Sequence, residues 1–268
     1  MSEQLPAEVR RRQILGRIQR NGGASINELA RDFAISPVTA HRDLEALARE
    51  GVLTRIHGGA RSIEGESHQV ETDFMKRLRQ NQAAKQLIAA RALREVPDGA
   101  TIFIDHSTSS LALAQRLERR PPKTLTVVTN SPAIANELQQ GAIHLIVTPG
   151  EVDQVMRMIS GGWTEEFLSR LNFDVAFVSA AGLTLERGLT TTRQSLAGTL
   201  SATRAVSQRL VALIDHSKMG RDSLLTIFGA QEPDQVIVDE GAPPDLVASY
   251  REAGVNLVIA EAAVRRGA

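Results

Sequence analysis

Two hydrophobic patterns follow one another along the chain, and they predict two domains. Up to about residue 60 the apolar residues recur at helical spacing, and from residue 101 onward short apolar runs of strand length alternate with helical stretches. The helical positions are Ile14, Leu15 and Ile18 in a first helix, Leu29, Ala30 and Phe33 in a second, and Ala40, Leu44, Leu47 and Ala48 in a third. The chain therefore begins with a small helical domain and continues as an α/β domain.

Capping and helix-ending residues indicate where the three predicted helices begin and end. Asn21-Gly22-Gly23 ends the first helix, and Ser25 with Glu28 has the spacing of a capping box at the start of the second. Ser36-Pro37 supplies an N-cap and a first-turn proline for the third helix. Two short helices joined by a tight turn predict a helix-turn-helix at about residues 25–44.

The residues after the third helix predict a wing. Residues 52–60 alternate up to the pair Gly58-Gly59, which is typical of a small β-hairpin. In a helix-turn-helix the first part of the last helix enters the major groove. On spacing alone, three short capped helices fit a small structural bundle equally well, and the alternative that we pursue is a domain that binds double-stranded operator DNA. The predicted DNA-binding residues are Ser36, Val38, Thr39, His41, Arg42, Arg55 and His57.

The second domain is expected to contain a mainly parallel sheet with helices on both faces, because its strand and helix patterns alternate. The predicted strands are residues 101–105, 125–129, 143–147, 174–179, 210–215, 235–238 and 255–259, with helices at 111–117 and 133–139 among them.

Three of these strands run into polar turns: residues 105–110, residues 129–132 and residues 215–218. In open parallel sheets, ligands bind beyond the carboxyl ends of the strands, and hydroxyls and amides at a helix start bind phosphate well. Lys218 adds a positive charge. Helix capping explains each turn alone equally well, but three turns at corresponding strand ends favour a site for an anionic ligand.

Composition adds exclusions rather than a function. The 268-residue chain has no cysteine, which rules out disulfides and cysteine metal sites, and we expect neither a metal nor a cofactor. It has no signal peptide and no apolar run of membrane-spanning length, which predicts a cytoplasmic protein without a membrane partner. The net charge is zero, but five arginines crowd the first helix, as a DNA-facing surface or equally as a solvated face: Arg10, Arg11, Arg12, Arg17 and Arg20.

A specific resemblance joins these observations. The string SPVTAHRDLEALAREGVLTRIHGGA resembles the DNA-binding domain of the DeoR family of bacterial regulators, with matches that include Ser36, Thr39, Arg42 and the closing Gly58-Gly59-Ala60. His41 stands where that family usually carries an arginine. The strings DHSTSS, TNS, DVAFVSAAG, GLTT and DHSKMG extend the resemblance to the second half, which is most similar to glycerol-3-phosphate regulon repressor-like members.

The resemblance implies a sensor domain with a ribose-5-phosphate isomerase/CoA-transferase-like fold, a sugar or polyol phosphate as effector, and a homodimer or homotetramer held by that domain. The effector-binding residues that it implies are Asp105, Ser107, Thr108, Ser109, Asn130, Gly182 and Lys218. Two departures stand out. The acid that often follows GLTT is absent, and Thr148-Pro149-Gly150 replaces a usual Gly-Gly.

The domain organisation that follows is a winged helix-turn-helix at residues 5–60, a linker at 61–72, and a sensor and oligomerisation domain at 73–262. We expect a repressor of carbohydrate or polyol metabolism genes that a phosphorylated metabolite relieves. The alternatives are a sugar-phosphate isomerase-like enzyme, which would have no need of a winged helix, and an RNA-binding module, which the 3% aromatic content disfavours. No catalytic residue is therefore expected.

Overall fold

The computed structural model describes residues 6–21, 23–56, 58–62 and 74–262. The chain divides into two compact units, Met1–Lys76 and Arg77–Ala268. The predicted linker at residues 61–72 starts inside the last strand of the first unit and otherwise lies outside the described residues, so its boundaries stay a prediction. Within the described ranges, no helix is long and apolar enough to cross a membrane.

The first unit contains three helices and a three-stranded antiparallel sheet. The helices are α1 (Ala7–Asn21), α2 (Ile26–Asp32) and α3 (Pro37–Arg49). The strands are β1 (Gly23–Ser25), β2 (Leu53–Ile56) and β3 (Gly59–Ser62), and they lie in the order β1-β3-β2. The winged helix-turn-helix is thereby confirmed, whereas β1 was not predicted, since three residues carry no readable alternation.

The predicted caps form as expected. The Ser25 hydroxyl accepts from the Glu28 amide at 3.2 Å, and the Glu28 carboxylate accepts from the Ser25 amide at 2.8 Å. The Ser36 hydroxyl caps α3 by accepting from the Thr39 amide at 3.1 Å. These caps fix where α2 and α3 begin, and the buried core holds the helices together. The core residues of this unit are Ile14, Ile18, Ala24, Leu29, Ala40, Leu44, Leu47, Leu53 and Ala60.

The second unit is built on a seven-stranded sheet in which every neighbouring pair is parallel, as predicted. Its order is β15-β14-β12-β9-β4-β5-β6. The strands are β4 (Thr101–Ile104), β5 (Thr126–Thr129), β6 (His144–Val147), β9 (Phe173–Val178), β12 (Ser207–Leu213), β14 (Gln235–Asp239) and β15 (Leu257–Ala260). The helices are α4 (Gln82–Ala92), α5 (Thr108–Arg119), α6 (Pro132–Leu138), α7 (Gly162–Leu168), α8 (Gln194–Ala205) and α9 (Pro244–Glu252).

Two small antiparallel elements, which the sequence did not reveal, accompany the main sheet. A hairpin pairs β7 (Glu151–Asp153) with β8 (Met158–Ser160), and a second sheet has the order β10-β11-β13. The strands of that second sheet are β10 (Gly182–Thr184), β11 (Gly188–Thr191) and β13 (Leu225–Phe228).

The register of the main sheet brings the predicted polar turns together. Ile104 at the end of β4 pairs with Phe177 of β9 on one side and with Thr129 of β5 on the other, and Thr129 in turn pairs with Val147 of β6. On the far side of β9, Val178 pairs with Ala212 of β12. The carboxyl ends of five adjacent strands therefore form one edge, where a ligand site is expected.

Candidate functional site

The exposed face of α3 contains most of the predicted DNA-binding residues. Val38 is 63% exposed, and His41 and Arg42 are exposed beside it. The His41 ring lies 3.4 Å from the Glu45 carboxylate one turn later, so an acid partly offsets any positive charge on this imidazole. Arg42 has no hydrogen bond or ion pair with any residue that the structure describes, which leaves its guanidinium open to a phosphate or a base edge.

Ser36 and Thr39 also stabilise the start of α3, besides their predicted contact with DNA. Their hydroxyl oxygens lie 2.8 Å apart, and Ser36 also caps the helix, so both groups hold the start of α3 in place. On the wing, Arg55 is half-buried and its Nη1 atom has no hydrogen-bond partner among the described residues. His57 lies outside the described residues, so its DNA contact stays a prediction.

Asp43 joins two helices of the first unit, a role that was not predicted from the sequence. Its carboxylate accepts from Arg10 Nε at 2.7 Å and from Arg11 Nε at 3.1 Å, and its side chain is only 3% exposed. The bonds tie α1 to α3. Arg17 is likewise paired with Asp32 at 3.1 Å, so at least three arginines of the proposed basic face already have protein partners. The helical spacing Ala40, Asp43, Leu47 was the available signal, since it places an acid on the buried face.

In the sensor unit, Asp105 organises the end of β4. It is fully buried, and its carboxylate accepts from the Ser107 amide at 3.1 Å, the Ser110 hydroxyl at 2.5 Å and the Ser179 amide at 2.8 Å. Asp105 therefore holds the DHSTSS turn against β9, and both of its oxygens are already occupied by protein donors.

Lys218 supplies the positive charge at this edge. Its amine donates to the Ser179 hydroxyl at 2.9 Å and lies 3.9 Å from the Asp215 carboxylate. Burial lowers the pKa of Lys218 against the attraction of Asp215 and Asp105. A largely buried ammonium that donates to one hydroxyl can still bind an anionic ligand. The negative charge of that ligand would offset the free-energy cost of burying the ammonium.

A second buried lysine, Lys85 on α4, was not predicted. Its side chain is buried, and its amine donates to the Gln80 carbonyl at 2.7 Å and to the Arg77 carbonyl. Burial and the neighbouring charge of Lys218 lower its pKa to about 8. Its partners are backbone carbonyls brought close by the fold, so no sequence pattern marks it.

Asp215 joins the Lys218 loop to the start of the sensor unit. Burial alone would raise the pKa of Asp215, but Lys218 and the hydrogen bonds from Ser217 and Asn81 lower it below its ordinary value. Asn81, directly before α4, donates to the Asp215 carboxylate and to the Ser217 hydroxyl, each at 2.9 Å. Asp215 is thus held as an ionised acceptor.

The remaining predicted effector residues lie at the same edge, except one. Ser107, Thr108 and Ser109 are buried around the start of α5, and Asn130 is buried directly after β5. Gly182 lies in β10, where an added Cβ atom would be 2.2 Å from the Arg221 carbonyl oxygen, so close backbone approach explains this glycine. Effector contact by these residues stays a prediction. Within the described part of the chain, no group of three or more histidines and acids is arranged to hold a metal.

Comparisons with known proteins agree with this geometry. The family model described as the DeoR-like helix-turn-helix domain matches residues 10–66, and the one described as the DeoR C terminal sensor domain matches residues 80–240. A putative aga operon transcriptional repressor from Escherichia coli O157:H7 is 30% identical over 251 residues, which are 93% of each chain. The HTH-type transcriptional regulator GlpR from Haloferax volcanii is 32% identical, over 95% of this chain and 98% of its own.

Solved structures resemble parts of the chain more distantly. Ribose 5-phosphate isomerase A from Methanocaldococcus jannaschii has a TM-score of 0.40 at 18% identity, and covers 52% of this chain and 55% of its own. The family models and the full-length relatives carry the assignment. The chain belongs to the DeoR family of helix-turn-helix transcriptional regulators.

Proposed function

We propose that this protein represses genes of carbohydrate or polyol metabolism by binding operator DNA, and that a phosphorylated metabolite in the sensor unit relieves the repression. The observation that carries the DNA-binding half is the capped, exposed start of α3, with Arg42 unpaired among the described residues. An arginine in this position can bind two acceptors on a guanine edge or on a phosphate. Relatives named as repressors support the direction of control.

The effector half is supported by the edge where the parallel strands end. Lys218 offers a positive charge, and the turn before α5 offers hydroxyls and the N-terminus of a twelve-residue helix. Such a combination suits a phosphate monoester. A Glycerol-3-phosphate regulon repressor of Escherichia coli K12 is 30% identical over 86% of this chain, which favours a sugar or polyol phosphate.

The arrangement of the acids disfavours an isomerase. A general base must have an oxygen free to reach the substrate proton. Asp105 is fully buried and its carboxylate accepts three protein hydrogen bonds, and the Asp215 carboxylate accepts from Ser217 and Asn81 and lies 3.9 Å from Lys218, so both acids already hold the protein's own donors. We therefore infer that the site binds its ligand without turnover.

We further propose a homodimer or homotetramer in the cytoplasm, the compartment that holds chromosomal DNA in prokaryotes. One winged helix buries a small interface with DNA, and specific affinity usually comes from two half-sites. Sedimentation at micromolar concentration should give a dimer or a tetramer. A monomer that binds a single half-site would refute this assembly.

Operator binding is tested by Arg42→Ala with Arg49→Ala as the matched control. Both arginines lie on α3 and are exposed, but Arg49 lies at the end of the helix that does not enter the groove. With an operator selected from a random DNA pool by the wild type, Arg42→Ala should weaken specific binding by about tenfold or more. Equal affinities of the two variants in a gel shift would contradict the placement of α3.

Effector binding is tested by Lys218→Met with the exposed Lys123→Met as control. In a thermal-shift screen of phosphorylated sugars, polyols and acids, a ligand at about 100 times its dissociation constant stabilises the wild type by about 2.7 kcal/mol. Lys218→Met should lose that shift and keep operator binding, whereas Lys123→Met should keep both. A Lys218 variant that still releases DNA with the ligand would show that the anion binds elsewhere.

A further inference from the structure

Four buried polar atoms at the edge of the main sheet lack any partner among the described residues. They are His106 Nδ1, Ser109 Oγ, Asn130 Oδ1 and Thr148 Oγ1. All four residues are more than nine-tenths buried. A buried polar atom without a hydrogen bond destabilises the fold, so a cluster of such atoms calls for a binding partner.

The four residues lie on adjacent strand ends. His106 and Ser109 follow β4, Asn130 follows β5 and Thr148 follows β6, and the last residues of these strands pair in register. Lys218 follows β12, and its amine reaches the residue after β9. The unpaired atoms thus lie at the ends of β4, β5 and β6, and the lysine charge lies on the β9–β12 side.

The orientation of the Asn130 amide identifies what its oxygen needs. Asn130 Nδ2 donates to the Ile159 carbonyl at 3.1 Å, and the Ile159 amide donates to the Asn130 carbonyl at 2.7 Å. Turning the amide over would set two oxygens against each other, so Oδ1 is the unpaired atom. An amide oxygen only accepts hydrogen bonds, and a phosphate dianion has no proton to donate. The partner at this end must therefore carry an O–H or N–H group.

The other three atoms fit the same ligand chemistry. Two are hydroxyl oxygens, which both donate and accept, and burial lowers the pKa of His106 so that its ring is neutral and can accept. A ligand group that donates and accepts in turn, such as an alcohol, satisfies all of them. This end therefore favours hydroxyl groups over a charged group.

The β7–β8 hairpin covers this end. Ile159 of β8 fastens it to Asn130 through the two hydrogen bonds above, and Asp153 of β7 is close enough to influence His106 electrostatically. Gly150 and Gly161 flank the hairpin, both with positive φ (145° and 103°). None of the four atoms is exposed, so a ligand reaches them only when the hairpin lifts, and these glycines are the residues best suited to bend.

We propose that His106, Ser109, Asn130 and Thr148 form an uncharged end of the effector site, beneath the β7–β8 hairpin, that binds hydroxyl groups of an effector whose phosphate lies towards Lys218. The inference rests on the proposed function, because it assumes that a phosphorylated effector binds at this edge. It adds which buried residues bind the hydroxyl groups of that effector.

Calorimetry on the full chain tests this with paired ligands. Polyol phosphates of three to six carbons are each compared with the alkyl phosphate of equal length, and inorganic phosphate is the shortest probe. At the preferred length the polyol phosphate should bind at least about tenfold more tightly than its alkyl partner, because the alkyl chain leaves the buried acceptors unpaired. In Thr148→Val this ratio should fall about fivefold, since one hydroxyl contact is lost.

Thr148→Val is expected to fold, because its hydroxyl has no partner among the described residues in the free protein. Thr203→Val is the matched control, a buried threonine of α8 whose hydroxyl donates to the Thr199 carbonyl at 2.9 Å. It should leave the ratio unchanged. Equal binding of polyol and alkyl phosphates, or an unchanged ratio in Thr148→Val, would overturn this inference and leave the phosphate site standing. If no phosphate ester binds, the proposed effector class itself is wrong.

Discussion

Replacing Asp43 with alanine should destabilise the DNA-binding unit selectively. The substitution removes the acceptor that joins Arg10 and Arg11 of α1 to α3. Breaking a fully buried ion pair costs about 3–5 kcal/mol. Arg10 and Arg11 are 12% and 36% exposed, so we expect the lower end, about 3 kcal/mol. That is more than half the stability of a small domain of about 5 kcal/mol.

Unfolding of the two units can be followed separately by spectroscopy. Trp163 is the single tryptophan of the chain and lies on α7 of the sensor unit, so its fluorescence reports that unit alone. Circular dichroism reports both units. With a urea dependence of about 1 kcal/mol per M, Asp43→Ala should lower the midpoint of the helix-turn-helix transition by about 3 M. The tryptophan transition should not move.

Glu45→Ala is the matched control for Asp43→Ala. It removes the same charge from the same helix, but Glu45 is 53% exposed and pairs with the His41 ring. Exposed pairs contribute about 0–1 kcal/mol, so the urea midpoint should barely change. If the two variants unfold at the same urea concentration, Asp43 does not hold α1 and α3 together.

Three further outcomes follow from the buried groups. Burial lowers the pKa of Lys85 from 10.5 to about 8, so the unfolded chain binds more protons in that window, and unfolding free energy should rise by up to about 3 kcal/mol between pH 8 and 10.5. Lys85→Met should flatten this rise in urea titrations at several pH values. Ser25→Ala removes the N-cap of α2 and should destabilise the first unit by about 1 kcal/mol, read from the dichroism transition. Tyr250→Phe removes a bond of 2.6 Å to the Leu183 carbonyl and should lower the tryptophan-detected stability by about 1–3 kcal/mol.

Local patterns in the sequence predicted the elements and their ends well. Ser25, Glu28 and Ser36 have roles that depend on neighbours three residues away, and the structure confirms them. The parallel sheet followed from the alternation of strand and helix. The predicted buried stripe on α3 is confirmed, since Ala40, Leu44 and Leu47 lie in the core and the half-buried Ala48 packs against it.

The site was predictable only in outline. The polar turns after β4, β5 and β12 gather at one edge of the sheet, because strand direction alone decides where such turns lie, and effector binding at that edge stays a prediction. The β7–β8 hairpin over Asn130 was not predictable, since its two strands have three residues each and no alternation to detect. Lys85 was missed for a related reason: its role depends on two backbone carbonyls, which look alike in every sequence.

Asp215 links Lys218, where an effector phosphate is proposed to bind, to the start of the sensor unit. Its carboxylate attracts Lys218 and also accepts from Asn81, among the first residues of the sensor unit. A phosphate at Lys218 competes with Asp215 for the same charge, and it repels that carboxylate. A ligand shifts an equilibrium only by its differential affinity for the two states. The effector can therefore act through Asp215 only if this competition changes the hydrogen bond between Asn81 and Asp215. A coupling of about 1–3 kcal/mol between effector and operator binding would alter operator affinity by roughly 5- to 150-fold.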